Sequence, residues 1–147
     1  MDQINIACVG TGYWGKNLVR NFYGLPGCNL KVCCDLDPTV LEKISKQYPG
    51  TRVTRRYEEL LADPSIDGVV LASPAVRHAE MASMALEAGK HTYVEKPLTL
   101  SPGDAESLCR LADRQGLVLM VGHLMEYHPA VEKLKQLIVD GTLGNVY

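Results

Sequence analysis

Short apolar runs alternate along this chain with stretches in which apolar residues recur every three or four positions. Ile4 to Val9 (INIACV) reads as a strand that runs straight into a glycine-rich turn. Trp14, Leu18, Phe22 and Leu25 then fall at helical spacing, so a helix is expected from near Tyr13 until Pro26-Gly27 stops it. Leu30 to Cys34 is a second strand. Asp37-Pro38 reads as an N-cap followed by proline at the first helical position, opening a helix to about Gln47. Arg52 to Thr54 predicts a short edge strand, and Tyr57 to Ala62 a brief helix. Gly68 to Ala72 (GVVLA) is apolar on both faces, the pattern of a central parallel strand covered on two sides. A helix from about Ala75 to Ala88 follows, with Gly89 as its stop. Thr92 to Val94 and Leu117 to Val121 are further strands. Between them Ser101-Pro102 starts a helix carrying Leu108, Cys109 and Ala112. The last helix is expected from about Pro129 to Asp140, with Val131, Leu134 and Leu137 inward and Lys133, Lys135 and Gln136 outward.

Strands alternating with helices at this interval imply βαβ units and an α/β, doubly wound parallel sheet. The 147 residues fit one domain, 1–147, large enough to bury a core without staples. Hydrophobic residues are 46% and charged residues 22%, which excludes disordered, collagenous and coiled-coil classes. A net charge of −2 without like-charge runs argues against an electrostatic nucleic-acid partner. The apolar stretches are too short to span a bilayer, and MDQINIACVG lacks the basic start of a signal peptide. A cytoplasmic protein without a membrane partner is therefore expected. The five cysteines fit that compartment: their number is odd, no C-x-x-C occurs, and adjacent Cys33 and Cys34 would point to opposite faces of a strand. They read as buried reduced thiols. No histidine pair stands at metal-ligand spacing.

Gly10-Thr11-Gly12-Tyr13-Trp14-Gly15 is a G-x-G-x-x-G between an apolar strand and an amphipathic helix, the setting that gives the triplet meaning. Gly10 permits the tight turn, Gly12 lets backbone approach a pyrophosphate, and Gly15 lets helix and strand pack closely. Tyr13 and Trp14 lie in the same loop, where free helix amides attract an anion. Asp35 stands at the end of the second strand, about 20 residues beyond Gly15, placed to accept from ribose hydroxyls. Beside a 2′-phosphate its charge would clash, which favours NAD over NADP. Asp37 competes for that role but is better read as a helix cap, and Lys31 and Arg52 are placed to soften the discrimination. Ser73-Pro74, Glu95-Lys96-Pro97 and Gly122-His123 close later strands, so polar groups gather at the carboxyl edge of the sheet, where ligands bind in such folds. Lys96 suits proton transfer there, with a solvated rim lysine as the plain alternative. His78 is either a contact to the cofactor edge or a surface histidine. His123, Tyr127 and His128 either line the pocket or pack at the domain's end. A nucleotide-sensing or CoA-binding regulatory module and a methyltransferase remain as competing readings.

GTGYWG in the first turn, CDLDP after the second strand, EKP at Glu95 to Pro97 and GHLMEYHPAVEKLKQLI at Gly122 to Ile138 resemble the Gfo/Idh/MocA oxidoreductase family over essentially the whole chain. GYWGKNLVRNF resembles the branch acting on sugars and nucleotide sugars. The resemblance implies a Rossmann NAD-binding domain and hydride transfer between a sugar hydroxyl carbon and the nicotinamide. It implies that Lys96 contacts substrate and assists proton transfer, held by Glu95 and Pro97. It further implies a second, substrate-binding domain absent from these 147 residues, into which Gly141 to Val146 (GTLGNV) would lead. On that likeness the chain alone binds NAD with little turnover, and the full-length enzyme is a homo-oligomer. The arginine-phenylalanine pair of many members is replaced here by Glu126-Tyr127-His128, so Glu126 receives no role.

Overall fold

The computed structural model describes residues 3–146. Strands β1 (Ile4–Val9), β2 (Cys28–Cys34), β3 (Arg52–Thr54), β4 (Gly68–Leu71), β5 (His91–Val94) and β6 (Leu119–Val121) form a parallel sheet in the order β3-β2-β1-β4-β5-β6. Between them run α1 (Gly15–Gly24), α2 (Pro38–Gln47), α3 (Tyr57–Ala62), α4 (His78–Glu87) and α5 (Pro102–Gln115), and α6 (Pro129–Val139) follows β6. Short 3₁₀ turns at Ala75–Arg77 and Leu124–Tyr127 precede α4 and α6. The α/β doubly wound arrangement is as the alternation implied. The strand order reverses between β1 and β4, and there the loops leaving the carboxyl ends of those strands diverge and open a crevice.

Alternation along the strands divides the core in two. Ala7, Val9, Val32, Cys34, Val69, Leu71 and Val94 face α3, α4 and α5, meeting Leu60, Met81, Ala85, Leu86 and Leu108. Cys8, Leu30, Cys33 and Val70 point the other way, against Leu18 and Val19 of α1 and Ile44 of α2. All four residues of β4 are buried. That is the two-sided burial its unbroken apolar run predicted.

Several boundaries differ from the periodicity. β2 begins at Cys28 rather than Leu30, because pairing with β1 extends it: Cys28 and Asn29 stand opposite Ile4 and Asn5, and Asn29 Nδ2 donates to Asn5 Oδ1 at 2.7 Å. Leu25 lies beyond α1 in extended backbone, half-exposed, since the residue before Pro26 disfavours helix. α1 itself starts only at Gly15, and Trp14 remains 43% exposed. α6 forms, but its expected inward face does not exist among the described residues. Leu134 is exposed, Val131 and Leu137 are only half-buried, and no residue of α6 is fully buried. Its main neighbour is the 3₁₀ turn preceding it, and its apolar stripe is left unpacked by the sheet. No described helix is long and apolar enough to cross a membrane.

All five cysteines are free. Cys8 and Cys33 share one face of the sheet while Cys34 lies on the other, which keeps the adjacent pair unbridged. Burial pushes the Cys33 thiol up to about 12 and the Cys34 thiol to about 11, each raised further by neighbouring groups. Burial raises Cys8 as well. These three stay protonated and poorly nucleophilic near neutrality. Cys109 departs from the buried reading: it lies on the outer face of α5. A maleimide pulse on the native protein should therefore label Cys109 first and leave Cys8, Cys33 and Cys34 unmodified until denaturant is added. Peptide mass mapping checks this, and early labelling of Cys33 would contradict the core described here.

Candidate functional site

The crevice is built on backbone-to-backbone contact. Gly10 has φ +78°, and a β-carbon there would stand 2.7 Å from the carbonyl group of Ala72 and the amide nitrogen of Ser73. A β-carbon on Gly15 would collide with the carbonyl oxygen of Gly10. Only glycine satisfies both positions. At Gly12, by contrast, a β-carbon would meet nothing within 4 Å, so the side of the loop facing the crevice is open. Helix α1 begins on this loop without a side-chain cap and without an acidic residue in its first turn, whereas Asp37 caps α2 and Ser101 caps α5. The positive end of α1 is left for an external anion.

Asp35 locks the loop to the end of β2. Its Oδ2 accepts from the Thr11 amide at 2.7 Å and the Thr11 hydroxyl at 3.1 Å, and its Oδ1 accepts from the Asp37 amide at 3.0 Å. Thr11 is 3% exposed, so this tie is largely shielded from water. Asp37 is occupied elsewhere. It accepts from the Thr39 amide and hydroxyl, and those two bonds hold its carboxyl below the usual range. The carboxylate at the crevice is thus Asp35.

Two cavities meet at Ala72 and Ser73. The larger, about 480 Å³, runs from Gly10, Gly12 and Tyr13 past Asp35 and Leu36 to Arg55, Tyr57, Pro74 and Arg77. The smaller, about 190 Å³, is lined by Trp14, Ala72, Ser73, Ala75, His78, Glu95 and Lys96. Ser73 borders both, and its hydroxyl oxygen is buried without a hydrogen-bond partner. A buried polar atom left single at the junction of two cavities is a place for a ligand group. Glycine backbone, unfilled helix end, carboxylate and orphan hydroxyl together fit an extended dinucleotide.

Lys96 is exposed and faces the small cavity. Glu95 beside it is 6% exposed, accepting from the Tyr93 hydroxyl at 3.3 Å and from the Lys96 amide at 3.2 Å. Burial, and then the Glu95 charge, push the Tyr93 phenol up to about 12, so it stays a donor to that carboxylate. A β-carbon at Gly122 would run into the Tyr93 hydroxyl and Glu95 Oε1, so that glycine makes room for the pair. The Lys96-Pro97 peptide is cis.

Ten of the expected site residues, from Gly10 through Ser73 and Pro74 to Glu95 and Lys96, gather on these two cavities. Gly15 does not face them, and lies behind the loop as its packing glycine. His78 is not on the surface: it is 1% exposed with both ring nitrogens against backbone carbonyls. Lys31 and Arg52 do not approach the Asp35 end. Lys31 bonds Ser65 and Arg52 bonds Asp63. Arg55 and Arg77 line the cleft instead, and Arg55 Nε donates to the Leu36 carbonyl at 3.1 Å. Only the β2–β3 pairing, which brings Thr54 beside Cys34, shows that proximity. His123 and Tyr127 are exposed, and His128 caps α6 through Nδ1. None of the three lines either cavity.

A family model for Gfo/Idh/MocA proteins, described as an oxidoreductase family with an NAD-binding Rossmann fold, matches residues 4–123. The chain belongs to this family. It is 36% identical over 146 residues to the uncharacterized oxidoreductase YdgJ of Escherichia coli, covering 99% of this chain and 41% of that protein. It is 32% identical to scyllo-inositol 2-dehydrogenase (NAD(+)) of Bacillus subtilis, covering 97% of this chain and 42% of the relative. Among solved structures it is similar to the 3-ketoreductase KijD10 of Actinomadura kijaniata in complex with NADP and TDP-benzene. That match has a TM-score of 0.88 and 26% identity, covering 95% of this chain and 43% of the other. The chain thus spans about two-fifths of the length of these relatives. Family membership makes this an NAD(P)-binding oxidoreductase domain.

The two glycines predict unequal stability effects. Gly15→Ala should lower the unfolding free energy by about 2 kcal/mol or more, because its methyl meets fixed backbone. Gly12→Ala should change it by less than about 1 kcal/mol. Paired urea melts check this, and equal losses at both positions would contradict the loop geometry.

Proposed function

We propose that this chain holds NAD for a dehydrogenase that moves a hydride between the nicotinamide and a hydroxyl-bearing carbon of a polyol, sugar or nucleotide sugar. The observation that carries the reading is the pair of cavities that share Ala72 and Ser73, one lined by Gly12 and Asp35 and the other by Lys96, with the unpaired Ser73 hydroxyl between them. The two cavities suit the two ends of a dinucleotide. Asp35 has lone pairs left for ribose hydroxyls, Leu36 and Pro74 offer apolar surface to adenine, and the α1 amides take the pyrophosphate. The nicotinamide end then lies in the small cavity, with Ser73 donating to or accepting from it.

When bound, the nicotinamide supplies the hydride acceptor. Lys96 takes and returns the proton of the substrate hydroxyl, and its exposed side receives the substrate. The buried Glu95 fixes the Lys96 backbone through its amide. Relatives named for scyllo-inositol oxidation and for a 3-ketoreductase bound to a TDP compound support a polyol or nucleotide-sugar substrate. On this reading these residues bind the cofactor without turnover, and the substrate wall belongs to sequence that the longer relatives carry.

NAD is preferred because a 2′-phosphate would face the Asp35 carboxylate, a like-charge contact worth several kcal/mol. Arg55 is the group that moderates this preference, since its guanidinium borders the same cleft. One relative is named for NAD(+) and one solved structure holds NADP; on this reading the balance between Asp35 and Arg55 sets the choice here.

Trp14 lines the nicotinamide cavity and reports binding by fluorescence quenching or energy transfer to the reduced ring. Titration should give saturable NADH binding, at least about tenfold tighter than NADPH. Asp35→Ala should weaken NADH and narrow that gap, while Lys96→Ala should change NADH affinity by no more than about twofold. Failure to bind either nucleotide would sink the reading. Equal weakening by Lys96→Ala and Asp35→Ala would make Lys96 a binding group instead.

A further inference from the structure

His78 faces a hydrogen-bonding problem that a neutral imidazole cannot solve. Its Nδ1 lies 2.7 Å from the carbonyl oxygen of Pro97, and its Nε2 lies 2.7 Å from the carbonyl oxygen of Ser73. Both carbonyls only accept, and a neutral ring has one N–H to donate. In either tautomer the second nitrogen would press its lone pair against a carbonyl oxygen in a site that is 1% exposed. Both distances lie at the short end of the N–H···O range, where charged donors are found. Two other histidines show the opposite arrangement. Nδ1 of His91 accepts from the Val118 amide at 3.0 Å, and Nδ1 of His128 accepts from the Ala130 amide at 3.2 Å, so each of those rings keeps a bare nitrogen.

We propose that His78 is held as a doubly protonated imidazolium that straps the turn after β4 to the turn after β5, and so acts as the positioning residue for Ser73 and Lys96. The strap rests on protein groups alone, and its bearing on the cofactor rests on the function proposed above. One ring ties three segments: the Ser73-Pro74 turn, the Lys96-Pro97 turn and the start of α4. The charges around it are mixed. Glu95, which lines the same cavity, favours the cation, while Lys96 on that cavity and the positive end of α4 oppose it. Arg77 and Glu80, beside it in sequence, are exposed and pair with each other at 3.1 Å. Burial also opposes the cation, since it strips water from the charged ring. Against it stand two carbonyl oxygens at 2.7 Å, one on each ring nitrogen: losing either proton leaves an unmatched acceptor in the same buried site. Rising pH removes one of the two bonds. One turn is then released, and the crevice loses order at the point where Ser73 joins its halves.

Long-range proton–nitrogen NMR on histidine-labelled protein tests the proposal without altering the ring. The exposed His91, His123 and His128 signals are assigned by Gln substitution at each in turn. At about pH 8, above the ordinary range of an exposed imidazole, both nitrogens of His78 should still carry protons while the other rings are neutral. A bare nitrogen on His78 at that pH overturns the strap. NADH affinity of the wild type should fall roughly fivefold or more across the pH at which the ring loses its second proton, and should stay flat for His78→Gln. A wild-type affinity unchanged through that step overturns the positioning role. If the protein binds no NADH at all, the cofactor reading fails and the ring spectrum still decides the strap.

Discussion

A β-carbon at Gly10 would touch the backbone of Ala72 and Ser73, and one at Gly15 would collide with the Gly10 carbonyl oxygen. The crevice depends on these two missing side chains. They let the loop after β1 lie directly on the loop after β4, at the point where the strand order reverses. The rest of the crevice follows from that approach. The amides at the start of α1 are brought to the sheet edge, and the Ser73 hydroxyl is trapped between two cavities. Gly12, free of such crowding, is left as the open side of the loop.

Electrostatics at the two ends of the crevice are organised differently. At the Asp35 end a carboxylate is bound by Thr11 and by the amide of Asp37, which orients it while keeping it accessible. Arg55 enters the same space from the loop after β3, tethered to the Leu36 carbonyl. At the Lys96 end the carboxylate is buried: Glu95 accepts from Tyr93 and from the Lys96 amide, and Gly122 leaves room for the pair. An exposed amine standing on a buried, hydrogen-bonded carboxylate is anchored through its backbone, and its side chain stays free.

The apolar surface beyond β6 has a different character. Met120, Leu124, Met125, Tyr127 and Leu134 are exposed along β6, the following turn and α6. The family model's match ends near there, at residue 123 of this chain, and the relatives are more than twice as long. Amphipathic period in α6 is real, yet its apolar stripe is not consumed by this sheet.

Local chemistry determined most of the elements. Proline and aspartate marked the start of α2, Gly89 the end of α4, and the unbroken apolar run of β4 announced a strand buried on both faces. The glycine triplet and Asp35 were legible because their roles depend on spacing along the chain between one strand and the next. Sheet pairing and packing decided what spacing cannot encode. The β2–β3 register brought Arg55, rather than Lys31 or Arg52, to the crevice. Pairing with β1 carried β2 back to Cys28, and only the three-dimensional neighbours of α5 and α6 showed Cys109 and Leu134 to be exposed. His78 is the clearest case. Its sequence neighbours resemble a surface helix start, but the acceptors of its two ring nitrogens come from Ser73 and Pro97, and only the folded sheet places them on opposite sides of one ring.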